Sequence, residues 1–188
     1  VKIAQDTQLP SAAAGADDTL TCNLQSLTLV GAASSEPGLQ FAWTASGGGN
    51  LLNGANTLTP KIDKPGIYTL LVSNPVNGCT ANDVVQIFND VNTPQANAGT
   101  AATLTCTLKQ TSLNASASTG PTFSYQWTTS GTGSIVNGAS TLKPLVDRPG
   151  IYTLSVLNSV NGCVSTSTVS VPEDVTPPVV SAGADATL

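Results

Sequence analysis

Histidine is absent from the 188 residues. That removes the imidazole base of Ser–His and Cys–His nucleophiles and a principal nitrogen ligand for zinc. Charge is scarce: only 9% of residues are Asp, Glu, Lys or Arg, against about 25% in ordinary soluble domains. Six Lys and Arg, a net charge of −5 and a pI near 4.2 leave no basic stripe for nucleic acid. They also leave no patch for an anionic membrane surface. No apolar run reaches the roughly 18–20 residues that span a bilayer. Aromatics are 4% of the sequence, too few for an obvious sugar-binding platform. Spacing at 3.6 residues is missing as well, so helices are not expected.

What is present is a repeat of 84 residues. Cys22 returns as Cys106, Trp43 as Trp127, Tyr68 as Tyr152 and Cys79 as Cys163; aligning 8–91 with 92–175 gives 40 identities in 84 positions. Val1, Ile3 and Asp6 match Val85, Ile87 and Asp90, and Ser181–Gly183 falls where Asn97–Gly99 stands. The expected organisation is therefore an excerpt of a tandem array. Residues 1–7 close a preceding module, 8–91 and 92–175 are complete modules, and 176–188 open a following one.

Within a module, β-branched residues alternate with polar ones, and Gly, Pro or Asn punctuates every 8–12 residues, the pattern of an all-β fold. Strands are expected at Ala12–Ala14, Thr19–Thr21, Leu27–Val30, Leu39–Trp43, Thr57–Ile62, Ile67–Ser73 and Val84–Phe88. Pro60 marks Thr57–Ile62 as an edge, Gly47–Asn50 is a loop, and Asn77-Gly78 is a hairpin turn. The expectation is tandem immunoglobulin-like, seven-stranded antiparallel β-sandwiches. Trp43, Tyr68 and Leu70, with Trp127, Tyr152 and Leu154, are the core candidates. Asp63-x-x-Gly66-x-Tyr68 has the spacing of a tyrosine corner. Leu70 and Leu154 stand where antibody domains place their second cysteine, so the inter-sheet bridge of those domains is missing.

Four cysteines allow three pairings. The repeat makes Cys22–Cys79 and Cys106–Cys163 the economical solution, one disulfide per module, each closing a loop of 57 residues and worth roughly 4 kcal/mol on the chain-entropy model. Paired cysteines imply an oxidising, extracellular setting.

Gly15–Cys22, the tryptophan strand and Pro65-Gly66-Ile67-Tyr68-Thr69-Leu70 leading to Asn77-Gly78-Cys79 resemble the immunoglobulin-like or PKD-like repeats of giant Bacteroidota cell-surface proteins. Those include adhesin and gliding-type chains exported by the type IX pathway. The resemblance covers essentially the whole chain and implies a non-catalytic repeat in the stalk or fibre of a secreted cell-surface protein. The alternative is an accessory or carbohydrate-binding β-sandwich in a secreted hydrolase. The chain departs from PKD domains after Trp43, where Thr-Ala-Ser-Gly replaces their Trp-x-Phe-Gly-Asp-Gly element.

Paired carboxylates occur only at Asp17-Asp18 and Glu173-Asp174, and neither pair recurs in the other module, so no catalytic site is expected. Asp6, Asp90 and Asp174 recur at the junctions, and with Asp17, Asp18 and Asp185 they form the only calcium candidates. The competing reading makes each junction aspartate the cap of a turn before a proline. No other cofactor is expected. The expected partners are neighbouring repeats, other copies in a filament, and a cell-surface or glycan ligand. Asn114-Ala115-Ser116 is a sequon, and Asp18-Thr19-Leu20 resembles a Bacteroidota O-glycan acceptor.

Overall fold

Alternation of buried and exposed side chains builds the longest ladders. In Gly66–Ser73, Tyr68, Leu70 and Val72 point inward while Ile67, Thr69 and Leu71 point outward, as a strand buried on one face requires. The computed structural model describes residues 6–181 and 183. It is all-β, with one short 3₁₀ turn at Ser116–Ser118 among the described residues. Contacts divide it into two units. One runs to Asn92 and takes in the tip Asn161–Cys163; the other comprises Thr93–Val160 and resumes at Val164.

The first unit contains β1 (Ala12–Ala13), β2 (Asp18–Thr21), β3 (Leu27–Thr28), β4 (Ala32–Ala33), β5 (Gln40–Ser46), β6 (Leu51–Asn53), β7 (Lys61–Ile62), β8 (Gly66–Ser73) and β9 (Thr80–Asp90). One sheet has the order β2-β9-β8-β5, and a second has the order β3-β7-β6. Between them lie Trp43, Tyr68, Leu70, Val72, Val85 and Ile87 from the first sheet, with Leu29 and Ile62 from the second side. Each large apolar side chain removed from water contributes about 1.5–3 kcal/mol.

The second unit repeats the plan with β10 (Leu104–Thr105), β11 (Thr111–Ser112), β12 (Phe123–Ser130), β13 (Ile135–Asn137), β14 (Leu145–Val146), β15 (Gly150–Asn158), β16 (Val164–Val171) and β17 (Glu173–Asp174). Trp127, Tyr152 and Leu154 occupy its core. Where the first unit has one continuous β9, the second breaks into β16 and β17 at Pro172, which has no N–H to donate; its carbonyl still accepts Leu104 N at 2.9 Å.

Three expectations are corrected. The ladders are not all antiparallel: β2 runs parallel to β9, with Thr21 opposite Asp90, and β10 runs parallel to β17, with Thr105 opposite Asp174. Lys61–Ile62 lies in the middle of its sheet. Pro60 stands just before it and uses only its carbonyl, to Leu29 N at 2.9 Å. The third correction concerns the disulfides and follows from the first. Cys22 follows β2, level with the far end of β9, whereas Cys79 immediately precedes the first residue of β9. Eleven residues of strand place them roughly 35 Å apart, and a disulfide needs Cα atoms within about 7 Å. Cys106 and Cys163 are held apart in the same way by β16 and β17. The structure instead bonds Cys22 to Cys163, a sequence separation of 141, and leaves Cys79 and Cys106 as free thiols.

Of the sequence beyond the second module, residues 176–181 carry no strand and are exposed. Residues 1–5 and Asp185 lie outside the described residues.

Candidate functional site

The Cys22 end of the first unit carries a connected set of polar contacts. The loop after β2 is closed on itself: Thr21 N donates to Leu24 O at 3.0 Å, and Leu24 N returns to Thr21 O at 3.2 Å. Onto it sits the tip Asn161-Gly162-Cys163. Asn161 is buried and donates from Nδ2 to Asp90 Oδ1 at 2.9 Å and to Asn92 O at 3.0 Å. Its Oδ1 accepts Cys163 N at 3.0 Å, which pins the tip. Gly162 has φ +71°, and a Cβ there would collide with the Asn23 side chain. Glycine is needed on both counts. The hydrogen bond from Asn161 holds the Asp90 carboxyl below its ordinary value, with Asn92 N adding to the effect.

Each junction aspartate has the same local role. Asp6 Oδ1 accepts Gln8 N at 3.1 Å, Asp90 Oδ1 accepts Asn92 N at 3.3 Å, and Asp174 Oδ1 accepts Thr176 N at 3.1 Å. Asp17 accepts Gln86 N at 2.8 Å, and Asp18 accepts the adjacent Thr19 N at 2.7 Å. The three junction bonds are side-chain turns, whereas the Asp17 bond reaches across to β9. No three acidic or thiol groups converge as a metal cage among the described residues.

The tyrosine corners form as the spacing implies. Tyr68 Oη donates to Lys64 O at 2.6 Å and accepts Asn50 N at 2.9 Å; Tyr152 Oη does the same with Arg148 O at 2.7 Å and Ser134 N at 2.9 Å. Burial raises the Tyr68 phenol above its ordinary value. Trp43 and Trp127 each send Nε1 to the backbone, to Thr57 O at 2.9 Å and Thr141 O at 3.0 Å. Both tryptophans and both tyrosines are thus core residues with satisfied polar tips.

One feature escaped the sequence reading. Leu39, Gln40, Phe41, Ala42, Asn56 and Ser73 line an open groove of about 500 Å³. Their period partners Phe123, Ser124, Tyr125, Gln126, Ser140 and Leu157, with Ser155 and Val164, line one of about 630 Å³. Phe41 and Tyr125 are only partly buried, so each contributes to core and groove together. Phe88 is half exposed. Asn114 and Asp18, the two modification candidates, are also exposed.

No family model matches the chain, and no curated protein does. Solved structures do. Extracellular domains 3–5 of Drosophila OTK are similar at 15% identity and TM-score 0.41, over 89% of this chain and 63% of that one. A PKD domain from KIAA 1837 protein is similar at 24% identity and TM-score 0.38, over 48% of this chain and 98% of its own. Drosophila N-cadherin EC1-4 is similar at 11% identity and TM-score 0.40, over 89% of this chain and 50% of that one. The chain thus spans less than two thirds of the OTK and N-cadherin structures. The fold is an immunoglobulin-like β-sandwich in each unit, as its own sheets and core show.

Proposed function

We propose that this chain is a non-catalytic structural repeat of a secreted cell-surface protein of the Bacteroidota adhesin or gliding type, serving in its stalk or fibre. The observation that carries the reading is the Cys22–Cys163 bond, which joins a cysteine of one repeat to a cysteine of the next. A covalent tie between successive repeats has a mechanical use, since it holds their junction when the chain is pulled, and it calls for an oxidising exterior. The charge-poor surface and the hydrogen-bonded cores fit the same role, and no cofactor is needed for it. Immunogold labelling of producing cells with antibody against residues 8–175 tests it. Gold strung along surface fibres is the expected result; gold confined to compact released particles overturns it.

A second reading has its own observation. The groove that recurs in both units presents neutral polar groups around Phe41 or Tyr125, which suits a weak, repeated contact with a polysaccharide. It makes the chain an accessory binding module. Affinity electrophoresis in polysaccharide gels tests it: retardation that Tyr125→Ala reduces supports the groove, and unchanged mobility in every polysaccharide removes it.

A further inference from the structure

The Cys106 end of the second unit repeats the register and most of the loop hydrogen bonds of the Cys22 end. Leu104 and Thr105 lie opposite Glu173 and Asp174 in the parallel register that Leu20 and Thr21 keep with Asn89 and Asp90. Thr105 N donates to Leu108 O at 3.0 Å, as Thr21 N does to Leu24 O. Leu108 N caps on Thr105 Oγ1 at 3.0 Å, as Leu24 N does on Thr21 Oγ1 at 3.1 Å. Asp174 occupies the place of Asp90 and caps Thr176 as Asp90 caps Asn92. At one end the cysteine is bonded and the tip is in place. At the other, Cys106 is an exposed thiol beside an open depression of about 290 Å³ that Leu104, Lys109, Glu173 and Val175 also line.

The tip exists in an unseated form too. Asn77-Gly78-Cys79 has the conformation of Asn161-Gly162-Cys163: Cys79 N donates to Asn77 Oδ1 at 2.9 Å, Asn77 Nδ2 donates to Gln8 O at 3.0 Å, and Gly78 has φ +73°. In the seated tip, Asn161 and Cys163 are buried and Gly162 abuts Asn23. In the unseated one, Asn77 and Cys79 are partly exposed, and nothing lies within 4 Å of where a Gly78 Cβ would be. Socket and tip are therefore each preformed, and each is found once joined and once alone.

We infer that the Cys106 end is a docking site for the Asn-Gly-Cys tip of another repeat of this sequence, locked by a disulfide between Cys106 and the tip cysteine. The strand between the two cysteines of any one repeat forbids their pairing, so each repeat bonds the next in a ladder. The inference rests on the repeat architecture behind the stalk reading, not on where the protein acts. The bond forms by exchange with a small-molecule disulfide such as oxidised glutathione. The Cys106 thiolate attacks one sulfur and expels a glutathione thiolate; the tip thiolate then attacks the Cys106 sulfur and expels the second. Two electrons and two protons leave the protein thiols and end on two molecules of glutathione.

The experiment extends the chain by a second copy of residues 92–175 placed in frame after Val175. Both proteins are refolded in a glutathione redox buffer, alkylated under denaturing, non-reducing conditions and mapped by peptide mass. The ladder leaves two thiols in each. In the present chain they are Cys79 and Cys106. In the extended chain Cys106 alkylation falls to background, and the added repeat's first cysteine takes its place. Changing the added repeat's second cysteine to serine restores Cys106 labelling. Cys106 still fully alkylated in the extended chain, or no free thiol in either protein, overturns the inference. Since the thiol map is read on purified protein, its failure leaves the cell-surface test standing, and the reverse holds equally.

Discussion

Asn50 Nδ2 donates to Asp63 Oδ1 at 2.7 Å beside the first tyrosine corner; one period later Ser134 replaces Asn50, and Asp147 Oδ1 is left buried without a protein partner. An unmet buried acceptor forfeits about 1–3 kcal/mol. Ser134→Asn should restore the bond and stabilise the second unit by about 1 kcal/mol. Urea unfolding followed by tryptophan fluorescence in a Trp43→Phe background, where Trp127 alone reports, checks it; a lowered midpoint contradicts the assignment.

The corner hydroxyls hold two separate backbone segments at once. Tyr152→Phe leaves Arg148 O and Ser134 N without their 2.7 and 2.9 Å partners. A loss of about 1–3 kcal/mol from the second unit is expected, and Tyr68→Phe should cost the first unit a similar amount. Because the rings stay buried, near-ultraviolet circular dichroism should be largely retained while the unfolding midpoint falls.

Acid should weaken the first unit before the second. Asp83 Oδ2 accepts Ala14 N at 2.8 Å, which lowers its carboxyl below the ordinary 3.8. Glu36 is lowered chiefly by Ser34, and Asp90 chiefly by Asn161. A depressed folded value means the stabilisation is complete above the unfolded value and disappears as pH falls through the folded one. In the second unit Ser167 Oγ replaces Asp83 as the acceptor, for Ala98 N at 3.1 Å, and does not titrate in this range. There Asp174 is lowered, mainly by Thr176 N. Thermal midpoints of the first unit, read through Trp43 in a Trp127→Phe background, should stay level to about pH 4 and then fall. Asp83→Asn, which keeps an acceptor oxygen without the titration, should make that fall shallower.

Calcium should change little. The Oδ1 atoms of Asp6, Asp90 and Asp174 are engaged by backbone amides, so binding an ion would compete with caps already made. The melting midpoint should be the same in millimolar calcium and in chelator. A rise with calcium would assign the junctions a metal role instead.

The fold was legible because it rests on local regularities. Period-two alternation, Asn-Gly turns and the tyrosine-corner spacing each report on a few consecutive residues, and Tyr68, Leu70 and Trp43 lie where those patterns place them. The cysteine pairing was not, because it depends on the direction in which β2 meets β9, two segments separated by almost the whole repeat. Nothing in Thr19–Thr21 records whether its partner runs parallel or antiparallel. The repeat itself made pairing inside one module look simplest, yet translation by 84 residues is equally satisfied by a bond that always reaches into the next. The groove was hidden for another reason: Phe41 and Tyr125 stand one period apart, and recurrence does not separate a buried ring from one that also lines a surface.

Breaking the Cys22–Cys163 bond should act on the first unit, to which the Asn161–Cys163 tip belongs. Closing a loop of 141 residues is worth about 5 kcal/mol on the chain-entropy model. The measured loss should be smaller, because the tip keeps its hydrogen bonds to Asp90 and Asn92 and the reduced chain is not a random coil. Cys22→Ser is the cleaner substitution, since Cys22 is partly exposed whereas Cys163 is wholly buried and a serine there would bury a hydroxyl. Combining Cys22→Ser with Asp90→Ala removes both the covalent tie and the charged seat. If the two act on one docked tip, their effects should be non-additive: Asp90→Ala should cost less in the Cys22→Ser background, where the tip already separates more readily. Equal costs in both backgrounds would show that Asp90 stabilises its own turn and not the seated tip.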